Sequence, residues 1–120
     1  MPGVKRPRKI QEAGAGLDPG LVALAATICE AIDRLRVLAF TYDGERRLAE
    51  PYIFGIDARG TVVLSAVQRS GGSGPGFRSF HVDGLSAVEI TDRKFFGGHP
   101  DYNPEDPYFA RILCQVRPRR

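Results

Sequence analysis

YDGERRLAEP (42–51) and FRSFHVDGL (77–85) are the stretches on which the reading of this 120-residue chain turns. In the first, Asp43-Gly44 is a turn signal between two strand-forming runs, VLAFTY (37–42) and residues 46–56. Pro51 lacks a backbone donor, so it belongs at an edge or a bend. In the second, FRSFHV (77–82) and LSAVEIT (85–91) read as strands split by Asp83-Gly84. Between the two stretches lie the turn Ala58-Arg59-Gly60 and TVVLSAVQ (61–68), a strand apolar on both faces. SGGSGPG (70–76) follows as a flexible hairpin connection that could cover a site. It is not a phosphate loop, since no Lys-Ser or Lys-Thr follows it and it leads into a strand rather than a helix.

Upstream, Leu21, Leu24, Ala25, Ile28, Ala31, Ile32 and Leu35 recur at spacings of three and four. This stripe predicts a helix over 19–35, capped by Asp18 with Pro19 at its first position. Residues 1–17 carry charge, Pro and Gly without an apolar period, and a disordered tail is expected. The expected division is a tail over 1–17, a helix plus strands over 18–93, and a C-terminal aromatic segment over 94–120. In the last, Asn103-Pro104-Glu105 can start a short helix reaching about Cys114, with Tyr108, Ile112 and Val116 packed. Five short strands, tight turns and a leading helix imply a mainly β fold, a small barrel with a flanking helix.

The net charge of +3 resides in the ends. Lys5, Arg6, Arg8 and Lys9 outweigh Glu12 and Asp18 in the first twenty residues, and Arg117, Arg119 and Arg120 close the chain, so the body is −2. The body as a whole is therefore no general nucleic-acid binder, because counterion release needs clustered cations. No apolar run approaches a membrane span, and the basic, proline-containing start lacks the apolar stretch of a secretory signal, so a cytoplasmic setting is expected. Cys29 and Cys114 read as two small buried hydrophobes rather than a disulfide framework. His81 and His99 without a CxxC give zinc no ligand set, and no cofactor is expected.

The order of these elements resembles the WYL domain, a bacterial regulatory family. The resemblance rests on Ala31-Ile32 at the helix end, Tyr42 and Gly44, Arg47 three residues before Glu50-Pro51, Gly60 before the next strand, and Arg78, Phe80, Val82, Asp83 and Leu85 in the closing segment. It covers roughly residues 24–92. It implies an Sm-like, SH3-type five-stranded barrel that senses a ligand, which in several such regulators is single-stranded nucleic acid. The chain departs from the pattern where the naming Trp-Tyr-Leu is Val62-Val63-Leu64, and where two arginines are replaced by His81 and Gly84. Part of the stacking platform and two phosphate contacts are thereby lost. Such domains usually follow a DNA-binding winged helix; here a stand-alone module is expected.

Arg78 shares a strand face with Phe80 and Val82, so an inward face places its guanidinium at a rim, ready for a phosphate or carboxylate. The alternative is an ion pair with Glu50 or Asp83. Arg47, Tyr42, His81 and Phe80 complete the ligand-binding candidates, against plain packing for Tyr42 and simple exposure for His81. No nucleophile elbow or metal cluster points to catalysis, and a non-enzymatic module is expected. Two functions remain open: sensing of single-stranded nucleic acid or a nucleotide, and assembly, as a homo-oligomer or with a transcription-related protein, through Phe95, Phe96, Tyr102, Tyr108 and Phe109.

Overall fold

The computed structural model describes residues 19–118; the expected cap at Asp18, the basic tail over 1–17 and Arg119-Arg120 lie outside them. Helix α1 runs Pro19–Arg34, and its apolar stripe buries Ile28, Ala31 and Ile32 against the sheet. Fully burying an isoleucine contributes about 1.5–3 kcal/mol, far more than the exposed Glu30–Arg34 pair at 2.6 Å. The helix stops at Leu35, which takes φ 53°. A left-handed leucine costs about 1–2 kcal/mol. It is held there because its amide donates to Ile32 O (3.2 Å) while its carbonyl accepts from Phe95 N (3.0 Å).

Six antiparallel strands follow in one sheet: β1 Arg36–Tyr42, β2 Glu45–Asp57, β3 Val62–Ser70, β4 Gly76–His81, β5 Ser86–Lys94 and β6 Phe109–Gln115. Asp43 and Gly44 both have positive φ (51° and 77°), which lets β1 turn straight into β2 with Tyr42 opposite Glu45. β2 is long enough to serve two neighbours in succession. Its first half pairs with β1 (Leu38 opposite Ala49), its second with β6 (Phe54 opposite Cys114), and β3 runs along its other edge. The changeover lies at Pro51, where the β2–β3 register shifts between Pro51 and Ile53. Pro51, expected at an edge or a bend, thus sits at this irregularity, between the segments of β2 that pair with β1 and with β6.

The strand order is β4-β3-β2-β1-β5, with β6 beside β2. A one-turn 3-10 helix, Val82–Gly84, leads from β4 to β5, yet no ladder joins those two strands among the described residues. The sheet is thus open rather than a closed five-stranded barrel, and it has one strand more than expected. The additional strand replaces the helix expected to begin at Asn103. Asn103 Oδ1 accepts from Glu105 N, and Asp106 Oδ1 accepts from Tyr108 N, both at 3.0 Å. These side chains compete with helical hydrogen bonds, and the vacant edge of β2 then takes up residues 109–115 as a strand. Gly55 makes room for it: a Cβ there would stand 2.4 Å from Arg111 O.

That strand also overturns the reading of the cysteines. As β6 runs along β2 it brings Cys114 beneath α1, where it forms a disulfide with Cys29, Cα to Cα 5.9 Å and 85 residues apart in sequence. Closing a loop of that length restricts the unfolded chain by about 4–5 kcal/mol in the chain-entropy account. No helix of the described residues is long and apolar enough to cross a membrane.

The C-terminal aromatics split in two. Phe95 and Phe109 are buried and Tyr102 packs against the core, whereas Phe96 and Tyr108 are exposed. Tyr52, itself buried, sits among Phe77, Phe95 and Tyr102 with ring centroids 4.7–5.4 Å away. Its hydroxyl accepts from His99 N, and the Tyr102 hydroxyl donates to Val116 O while accepting from Gln115. Burial raises the pKa of both phenols above the ordinary 10.0, outweighing the hydrogen bonds from His99 N and Gln115 that lower it. The unfolded chain would then lose these protons before the folded one does. Their contribution is complete below pH 10 and declines as pH rises toward the higher folded values. Chemical denaturation across pH 8.5–11.5 is expected to show stability falling from about pH 10, with a shallower fall in Tyr52→Phe.

Candidate functional site

Arg47 stands opposite Phe40 at the start of β2 and turns its side chain into the protein, leaving the residue 8% exposed. Its guanidinium carbon lies 5.4 Å from the Tyr42 ring centroid and 5.9 Å from that of Phe80. Two aromatic faces thus stand where a solvated arginine would have water. Nη1 donates to Gln68 Oε1 at 3.0 Å, and Nη2 donates to the Tyr42 carbonyl at 2.9 Å. Nε is buried with no acceptor. The one acid in range is Glu45, 3.8 Å from Nη2 and 59% exposed. An exposed carboxylate at that distance offsets little, while an ion taken out of water costs several kcal/mol. Arg47 is a buried cation whose counter-charge is largely missing.

Gln68 links this cation to the second arginine. Gln68 is fully buried, and its Nε2 donates to Gly74 O at 2.6 Å. The same carbonyl accepts from Arg78 Nη2 at 3.3 Å. Arg78 also reaches Ser73 Oγ (3.1 Å), Phe77 O (2.8 Å) and Pro75 O (3.4 Å). Every acceptor is neutral. Glu50, one of the acids expected to pair with Arg78, is held by Arg69 at 2.7 Å, and no ion pair joins Arg78 to a carboxylate among the described residues. Arg78 therefore bonds the loop between β3 and β4 directly, and Arg47 is linked to it through Gln68. The loop fits them closely: Gly72 has φ +54°, and a Cβ there would stand 2.4 Å from Arg47 Nη1.

The other candidates divide. Phe80 is a buried wall, edge-on to Phe40 and to Tyr42 with centroids 5.0 Å apart in each pair. Tyr42 is half-buried, and its hydroxyl accepts from His81 N at 3.2 Å, so its ring shelters Arg47 rather than offering a free face. His81 touches the cluster through that amide. Strand alternation sends its side chain to the opposite face, where it is exposed beside Asp57, Arg59, Thr61 and Tyr108 around a hollow of about 390 Å³. There Asp57 accepts from the amides of Arg59 and Thr61, and the Thr61 bond above all lowers its pKa. A second hollow of about 290 Å³ adjoins Arg78 and is walled by Ser65, Ser79, Tyr102, Asp101 and Asp106. Its two carboxylates, Asp101 and Asp106, make it a poor pocket for an anion.

Gln68 was missed as a site residue. Its signal was a polar side chain in phase with Leu64 and Ala66 in a strand buried on both faces. No group of three or more His, Cys, Asp or Glu among the described residues could hold a metal ion. No protein-family model matches the chain, and comparison with curated proteins and with solved structures yields no match.

A double-mutant cycle tests the pairing of Gln68 with Arg47. Gln68→Leu alone is expected to lower stability by about 2–3 kcal/mol in urea denaturation, because it strips an acceptor from a buried charge. Adding Arg47→Met should recover a good part of that loss, since removing both partners leaves no orphaned cation.

Proposed function

We propose that this chain is a non-catalytic, ligand-sensing regulatory module of the WYL type, with single-stranded nucleic acid or a nucleotide as ligand. The observation that carries the reading is Arg47: a guanidinium 8% exposed, without a buried counter-ion and with an idle Nε. A phosphate would satisfy this group better than the neutral oxygens it now holds, since charge-assisted bonds are about twice as strong. Arg78, which has no carboxylate partner among the described residues, lies one Gln68–Gly74 relay away and would supply the second fork. For a phosphate to reach Arg47 the loop over 71–75 would have to lift, so sensing would exchange the neutral oxygens that the two arginines now hold for phosphate oxygens. The same reading would relate the open six-stranded sheet and its leading helix to an Sm-like, SH3-type architecture. The cytoplasmic setting belongs to the same reading.

With Val63 buried and Val62 half-buried where the family has aromatics, stacking contributes little, and phosphate contacts would dominate with weak base preference. The assembly alternative loses three of its five anchors, because Phe95, Tyr102 and Phe109 pack onto the chain's own core.

Fluorescence anisotropy with short labelled single-stranded DNA and RNA, and with competing nucleotide, checks the proposal. Binding at 50 mM salt should weaken about sevenfold at 200 mM if two phosphates are engaged, given a slope near −0.7 per contact. Arg78→Ala and Arg47→Met should each weaken it by about tenfold or more. No binding at 50 mM salt, or binding indifferent to Arg78→Ala, counts against the sensor; a stable oligomer by light scattering in that case would favour assembly.

A further inference from the structure

We infer that the Cys29–Cys114 bond is a reversible redox clasp, whose reduction by a dithiol frees α1 and the C-terminal cover while leaving the rest of the sheet folded. The bond joins the first described element to the last strand, across 85 residues. Neither cysteine is fully buried, and exchange requires a thiolate to reach one of the two sulfurs.

What the bond holds is set out by its neighbours. The fully buried side chains of α1 are Ile28, Ala31 and Ile32, all within one turn of Cys29. The deepest part of the helix's dock is therefore next to the clasp, with Leu21, Leu24, Ala25 and Leu35 packed less deeply on either side. Cys114 stands opposite Phe54 at a register shift in the β2–β6 ladder. The next residue, Gln115, donates to the Tyr102 hydroxyl (2.9 Å) and to Pro104 O (3.0 Å). Val116 donates to Tyr52 O and accepts from the Tyr102 hydroxyl. The stretch over 95–104 is thus tied at its far end to the residues directly after Cys114, while Phe95 N donates to Leu35 O and His99 N to the Tyr52 hydroxyl nearer its start. β6 has a backbone ladder of its own with β2, as β1–β4 have with one another, but of these strands only β6 carries the clasp.

The exchange is balanced. A thiolate of the dithiol attacks one protein sulfur, the Cys29–Cys114 bond breaks, and the second thiol resolves the mixed disulfide. Two electrons and two protons pass to the protein, giving two cysteine thiols and one oxidised dithiol. In the cytoplasmic setting proposed above, on which this point rests, a disulfide would be of this transient kind rather than a permanent staple.

The test uses the whole chain, oxidised and then titrated with dithiothreitol. Thiols are counted by alkylation and mass spectrometry, and amide hydrogen exchange is followed by segment. Two thiols should appear while β1–β4 stay protected. Amides of α1 and of 95–118 should then exchange at least tenfold faster, and reoxidation should restore them. Cys29→Ser should show the reduced pattern without reductant. Thiols that appear only as the entire chain unfolds would overturn the inference, as would reduction with no change in α1 and 95–118, or two free thiols in the air-oxidised protein. None of these readouts involves a ligand, so the clasp and the sensor can fail separately.

Discussion

The burial of the Arg47 guanidinium is the constraint around which one end of this molecule is arranged. Tyr42 and Phe80 wall it, Gln68 and the Tyr42 carbonyl receive two of its bonds, and the loop after β3 passes over it. Each element is explicable as a response to the cation. A strand buried on both faces keeps one glutamine because the guanidinium needs an acceptor. A glycine stands at Gly72 because any side chain would strike Nη1. The cost of an under-compensated interior charge is the sort of local expense that persists where function requires it.

The second organising element is the length of β2. One strand of thirteen residues bonds β1 with its first half, β6 with its second and β3 along most of its other edge, so it links the arginine site to the disulfide. Arg47 lies near one end of that strand, and Phe54, opposite Cys114, near the other. The register shift at Pro51 separates the two halves, and the arginine site and the disulfide stand on separate observations.

Much of the fold was legible because its signals are local. The stripe from Leu21 to Ile32, the Asp43-Gly44 turn, the strand formers of 37–42 and the glycines of 70–76 are each decided by neighbours in sequence. The C-terminal strand was not legible, because FARILCQ suits a helix or a strand and only the vacant edge of β2 decides between them. Gly55, inside a strand-forming run, was the one hint that another backbone approaches there. The disulfide was hidden for the same reason, since its partners meet only once that strand is placed. At the site, parity was readable: a strand that turns Phe80 inward and Arg78 with it must turn His81 away. What parity could not reveal is that Arg47 would be covered, because that depends on a loop folding back over another strand.

The most direct measurement is the solvent exchange of the Arg47 Nε–H by NMR, compared with an exposed arginine such as Arg59 in the same spectrum. The account predicts a resolved Arg47 signal exchanging at least tenfold more slowly than Arg59, and moving together with the amides of 71–76 when nucleotide is added. An Arg47 Nε–H that exchanges as fast as Arg59, with loop amides indifferent to nucleotide, would contradict it.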